Sequence, residues 1–113
     1  MLPGPLEGGN RNMGHPLGVA VLEVLGADRV LTQAEVDDNN IFSFDPAAAR
    51  NLDLPAEADC AGIVLFIHNE ANAAEVITIR DDAAATVCTP TQNESAIVAC
   101  DGVSWRGLVG AAS

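Results

Sequence analysis

Between Arg29 and Trp105 the chain is a succession of short apolar runs of strand length, each cut by turn residues, and this rhythm restricts it to a fold made of strands. The runs are residues 29–32, 40–44, 51–55, 62–69, 75–80, 84–89, 95–100 and 103–105. Alternation assigns their faces, because successive side chains on a strand point to opposite sides. Phe42 and Phe44 share one face, Leu52 and Leu54 flank Asp53, and Ile77 and Ile79 point inward. In residues 62–69, Ile63, Leu65 and Ile67 lie on one side and Val64, Phe66 and His68 on the other, which predicts a central strand buried on both sides. Asp101-Gly102 predicts a tight hairpin with a primed turn, since both residue types accept positive φ. Residues 17–25 are nearly all apolar and read as a strand covered on both faces, with a short helix as the alternative that Val19, Val21 and Val24 disfavour. Thr32 followed by Glu35 has capping-box spacing and predicts a turn or one short helix. The expected fold is all-β: a single small β-sandwich or barrel-like domain of about 7–8 short antiparallel strands, spanning residues 17–113. Residues 1–16 are rich in Gly, Pro and Asn without apolar periodicity, and form an extended N-terminal arm.

Composition limits the partners. A chain of 113 residues with 49% hydrophobic content supports one core, and some of its apolar surface is expected to be covered by self-association. Sixteen acidic residues face five basic ones, all Arg, for a formal charge of -11. Such a surface repels phosphate backbones and anionic lipid, which excludes nucleic acid and membrane as expected partners. The apolar run 17–25 is interrupted by Glu23, lacks a basic leader, and is too short to cross a bilayer, so it is not expected to be a signal or a span. Cys60, Cys88 and Cys100 are odd in number and widely spaced, with no CxxC. They are expected to be reduced thiols acting as small core or strand residues in a protein folded in a reducing cytosol.

The residues that carry chemistry do not assemble into a motif. His15 and His68 lack partners at metal-ligand spacing, Ser95 and Ser104 lack a nucleophile-elbow context, and no Gly-rich phosphate loop is present. His68 is expected as a strand-end histidine bonded to backbone, in preference to a ligand or base. The stretch Asp37-Asp38-Asn39-Asn40 offers oxygens to a cation without the intervals of an EF-hand loop, and its other reading is a solvated turn. Asp81-Asp82 is weaker still, because adjacent residues on extended chain point apart. No catalytic residue, metal or cofactor is expected. Trp105 has two readings, a core closer under the last strand or a residue at a subunit interface, where Trp is enriched. The arm is either a loose terminus or a segment that orders on a neighbouring subunit. In the second case Leu2, Pro3, Pro5, Leu6 and Met13 join Trp105 as candidate interface residues.

Taken together, Leu31-Thr32, Asn40-Ile41-Phe42, the Leu52-Asp53-Leu54-Pro55 strand end, the Gly62-to-Asn69 strand, Val76-Ile77-Thr78-Ile79 and the closing Asp101-Gly102-Val103-Ser104-Trp105 resemble the small β-domains of tailed-bacteriophage virion proteins. The resemblance covers about residues 29–106 and rests on strand and turn residues. It implies a non-enzymatic virion part of the capsid decoration (cement) or head-fibre type, commonly trimeric. A short chain with no coiled coil or long repeat, and with an arm that a neighbour could order, favours decoration over a fibre segment. The expected protein is therefore a homotrimer made in the host bacterial cytoplasm, sitting on the outer surface of the capsid and bridging subunits of the major capsid protein. The alternative is a receptor- or glycan-binding module of a head or tail fibre, which the scarcity of aromatic residues disfavours.

Overall fold

The computed structural model describes residues 18–110. Among these, strands dominate and build two mixed sheets around one core. The strands are β1 (Glu23–Leu25), β2 (Arg29–Val30), β3 (Ile41–Pro46), β4 (Arg50–Asp53), β5 (Val64–Asn69), β6 (Ile77–Arg80), β7 (Thr86–Cys88), β8 (Ser95–Cys100) and β9 (Trp105–Val109). One helix, α1 (Gln33–Asp38), and a single 3₁₀ turn at Glu57–Asp59 connect them. The larger sheet has the order β1-β3-β5-β8-β9 and the smaller β2-β4-β6-β7.

The pairing departs from the antiparallel expectation. β1, β3 and β5 run parallel to one another, as do β2, β4 and β6. The chain visits the two sheets in turn, so that β1 and β2, β3 and β4, and β5 and β6 form three successive coils stacked in register. Glu23, Phe44 and Asn69 stand in one column, and Arg29, Leu52 and Ile79 in another. Only the end of the chain reverses: β7 returns along β6, β8 along β5, and β9 along β8. Parallel neighbours need a long crossover. The smaller sheet supplies that crossover for the larger one, with α1 and the 3₁₀ turn completing the first and second coils.

Alternation decides what enters the core. Phe42, Phe44, Leu65, Ile67, Ala96 and Val98 point inward from the larger sheet and meet Leu52, Ile77 and Ile79 of the smaller one. Phe42 and Phe44 stack with ring centroids 6.0 Å apart. Cys60 and Cys100 are buried and Cys88 half-buried, all three as free thiols. Burial pushes the Cys88 thiol up to about 11 and raises Cys60 as well, which leaves both protonated at neutral pH.

The polar ties run between coils. Asp28 accepts the Asn51 backbone N–H at 2.9 Å and its side-chain amide at 3.1 Å, and Arg50 donates to the Leu25 carbonyl at 3.0 Å. The fully buried Asn69 donates from its amide to the carbonyls of Glu75 and Pro90 at 3.0 and 3.1 Å and accepts the Ala71 N–H at 2.9 Å. It thereby pins the loop after β5 to the loop before β8. The capping box forms as the sequence predicts: the Thr32 hydroxyl accepts the Glu35 N–H, and the Glu35 carboxylate accepts the Thr32 N–H. That carboxylate also receives Arg29, which in turn holds Glu23 at 2.9 Å.

Glycine is required where the sheets meet at the last strand. A Cβ on Gly107 would stand 2.8 Å from Cys88 Sγ and 3.0 Å from Val87 Cγ1, so β9 can close over β7 only without a side chain there. At the final hairpin Gly102 adopts φ +93°, while Asp101 does not enter the left-handed region. Asp101 instead turns the chain by accepting the Val103 and Ser104 N–H groups with its carboxylate. The expected hairpin is present, and its positive φ rests on Gly102 alone.

Two predictions follow from these ties. Asn69→Ala leaves the buried Ala71 N–H without its partner and removes one donor each from the Pro90 and Glu75 carbonyls, and should cost about 1–3 kcal/mol in denaturant unfolding; a loss below about half a kcal/mol would refute the pinning role. Hydrogen bonding from Arg29 holds Glu35 down at about 2, so the group stabilises the fold above its ordinary range and this contribution is lost as pH falls from about 4.5 towards 2. After allowance for solvent screening it is about 1 kcal/mol. The stability gap between the native chain and Glu35→Gln should therefore be open at pH 7 and close in acid.

Candidate docking surface

The outer faces of the two sheets differ in chemistry. On the smaller sheet, the row Val30, Asp53, Arg80, Thr86 crosses the strands, with Arg80 forked onto Asp53 at 2.7 and 3.0 Å. That face is polar apart from the exposed Val30, and its two charges satisfy each other. On the larger sheet, the row Ile41, Phe66, Ile97, Leu108 crosses β3, β5, β8 and β9, and an isolated bridge adds Val19 beside Ile41. Phe66 is 47% exposed, Leu108 72% and Val19 68%. Val24 and Val64 enlarge the same face from β1 and β5.

This row corrects two expectations. The strand at residues 62–69 is central in its sheet but buried on one side only. Of the expected strand 17–25, residues 18–25 are described and are not a strand covered on both faces: only Glu23–Leu25 is a strand, and Val19, Val21, Leu22 and Val24 are exposed. Both have one cause. The smaller sheet covers only the inner side of the larger one, and among the described residues no element packs on its outer side. Apolar alternation on both faces of a strand reports that both faces avoid water, without saying whether the cover comes from the same chain.

At the margin of this face the register gathers three residues far apart in sequence. His68 pairs with Ser43 on one side and Ser95 on the other. Its Nδ1 lies 2.7 Å from Ser95 Oγ and its Nε2 3.1 Å from Glu70 Oε1. The expectation of a histidine bonded to backbone is thus replaced by a side-chain relay. With the Nε2 proton donated to Glu70, Nδ1 accepts the Ser95 hydroxyl, which is the order of nucleophile, base and orienting acid. Acyl transfer also needs oriented donors at the developing oxyanion and a concave seat for the substrate. The relay stands on an outward sheet surface, and the backbone of β5 and β8 around it is engaged in the ladder. Its evident action is to tie β5, β8 and the following loop together. Ser95→Ala should cost about 1 kcal/mol of stability and leave hydrolysis of p-nitrophenyl acetate at the rate of the unsubstituted chain. A rate that falls with the hydroxyl would make the relay catalytic.

A cleft of about 290 Å³ borders the same face at Val24 and Asp45 and is lined further by Pro46, Ala47, Asn72, Ala73 and Glu75. Asn72 donates to Asp45 across it at 3.3 Å. Among the described residues no three His, Cys, Asp or Glu side chains converge as a metal site would require. Asp37 and Asp38 are exposed, and the amides of Asn39 and Asn40 are spent on the carbonyls of Glu35 and Val64.

Of the residues singled out from the sequence, Trp105 lies in the core. It is 6% exposed and its indole N–H donates to the Pro55 carbonyl at 2.9 Å, the core-closer reading, which leaves little of its surface for a partner. Leu2, Pro3, Pro5, Leu6, Met13 and His15 lie outside the described residues. The row itself escaped the sequence reading. The signal for it was present in Val64, Phe66 and Ile97, apolar at every other position on strands whose opposite faces were already filled. Comparison with family models, curated proteins and solved structures finds no match for the chain.

Proposed function

We propose that this chain is a non-enzymatic structural protein of a phage virion, one that decorates and stabilises the outer surface of the capsid by bridging neighbouring capsid subunits as a homotrimer. The observation that carries the reading is the apolar row across the larger sheet, because a soluble module with such a face is suited to be an assembled part. The two sheets serve as a wound, sandwich-like support, and the resemblance of the strand and turn residues to those of tailed-phage β-domains supplies the virion context. The acidic surface keeps a high-copy component soluble and steers it towards basic surfaces.

The glycan-binding alternative gains little from the site. Among the described residues Phe66 is the one substantially exposed aromatic, since Phe42, Phe44 and Trp105 are buried. A sugar platform of a single ring is weak.

The test is attachment. Purified protein added to undecorated heads should bind them and remain bound in about molar salt, where a Debye length of about 3 Å removes steering but not apolar contact. Removal of residues 1–16 should leave the β-domain folded, by circular dichroism, and lower occupancy. Protein that is absent from heads, or released by salt alone, would refute the reading.

A further inference from the structure

We infer that the row Val19, Ile41, Phe66, Ile97, Leu108 is the surface on which a second copy of this chain packs. The inference rests on the self-association included in the decoration reading and names the face that makes it.

Charge selects the occupant. The chain carries a formal charge of -11, so two copies repel over most of their surfaces. The outward positions of the five strands are an exception: they hold one carboxylate, Asp45, and one guanidinium, Arg106. Laying a second copy on this face opposes no concentration of like charge, which suits it to a two-fold or a cyclic contact between identical subunits. The opposite face is unsuited to the role, because its row centres on the Asp53–Arg80 pair, whose desolvation would offset what contact gains.

Size sets the strength. Five strands at a spacing of about 4.8 Å, with the apolar row and Val64 extending roughly 10 Å along them, give a face of the order of 250 Å². That is about a third of what each partner buries in a stable complex of standard size, about 800 Å². A contact of that size is weak and reverses on dilution, unless a surrounding assembly holds the copies together.

Sedimentation of the full chain over a concentration series tests the inference, with Phe66→Glu and Ile97→Glu as the interface variants and Val103→Glu as the control. Val103 is exposed in the final hairpin, away from the row. The expected result is reversible association of the native chain and of the control, with each interface variant folded by circular dichroism and its dissociation constant raised about a hundredfold or more by a buried, unpaired carboxylate. Interface variants that associate like the native chain would overturn the inference, as would a native chain that stays monomeric into the millimolar range. A native monomer that associates only after residues 1–16 are removed would show that this segment covers the face, and overturns it equally. Head binding is scored separately. Variants that keep native association but lose the heads assign the face to a capsid protein and overturn the inference, leaving the decoration reading intact. Monomeric variants together with a native chain that never binds heads support the inference and refute the decoration reading.

Discussion

The structure depends on parallel register between successive coils. A parallel strand cannot be closed by a tight turn, so every hydrogen bond between β1 and β3, or β3 and β5, requires the chain to travel through the other sheet and return in phase. A slip of one residue would turn Phe42 and Phe44 outward and expose Leu65 and Ile67. The corners hold the phase. Asp28 on Asn51 and Arg50 on the Leu25 carbonyl bind one coil to the next, and Asn69 fixes the corner between β5 and β6 within the third coil and ties it to the loop before β8.

Strand identity was legible in the sequence, and strand partnership was not. β8 occupies the expected residues 95–100, Ile77 and Ile79 point inward, and Thr32 caps α1. These features depend on neighbours within a few residues, where alternation and capping act. Parallel pairing depends on residues a whole coil apart, and no short-range pattern distinguishes Leu52 beside Arg29 from Leu52 beside a hairpin partner. The relay of His68, Ser95 and Glu70 was hidden for the same reason, since β5 and β8 are separated by two strands of the other sheet. Asp101-Gly102 announced a hairpin because a hairpin is local. Its details differed because the Asp101 carboxylate satisfies the turn that a second positive φ would otherwise provide.

The two outer faces show how one scaffold divides its chemistry. Every inward position is committed to packing, so the outward positions alone are free to vary. On the smaller sheet they pair with one another, Asp53 with Arg80. On the larger sheet an apolar row runs beside the polar margin of Ser43, His68 and Ser95, and among the described residues the acidic ones lie mostly in loops, corners and α1. Alternation lets adjacent residues such as Leu65 and Phe66 serve the core and the surface independently.

The order of parallel and reversing strands has a consequence for how the chain acquires its structure. Among the described residues local strand pairings occur only towards the C-terminal end, where β6 meets β7 and β8 meets β9 across short loops. The first two coils contain only non-local pairings, which form slowly because the loop must close before any contact rewards it. During synthesis these coils leave the ribosome before β8, the strand that splints β5 to β9, has been made. Ordering is therefore expected to run against the direction of translation, from the last hairpin back to β1. Pulse-labelled hydrogen exchange should find β8 and β9 protected before β1; simultaneous protection would count against this order.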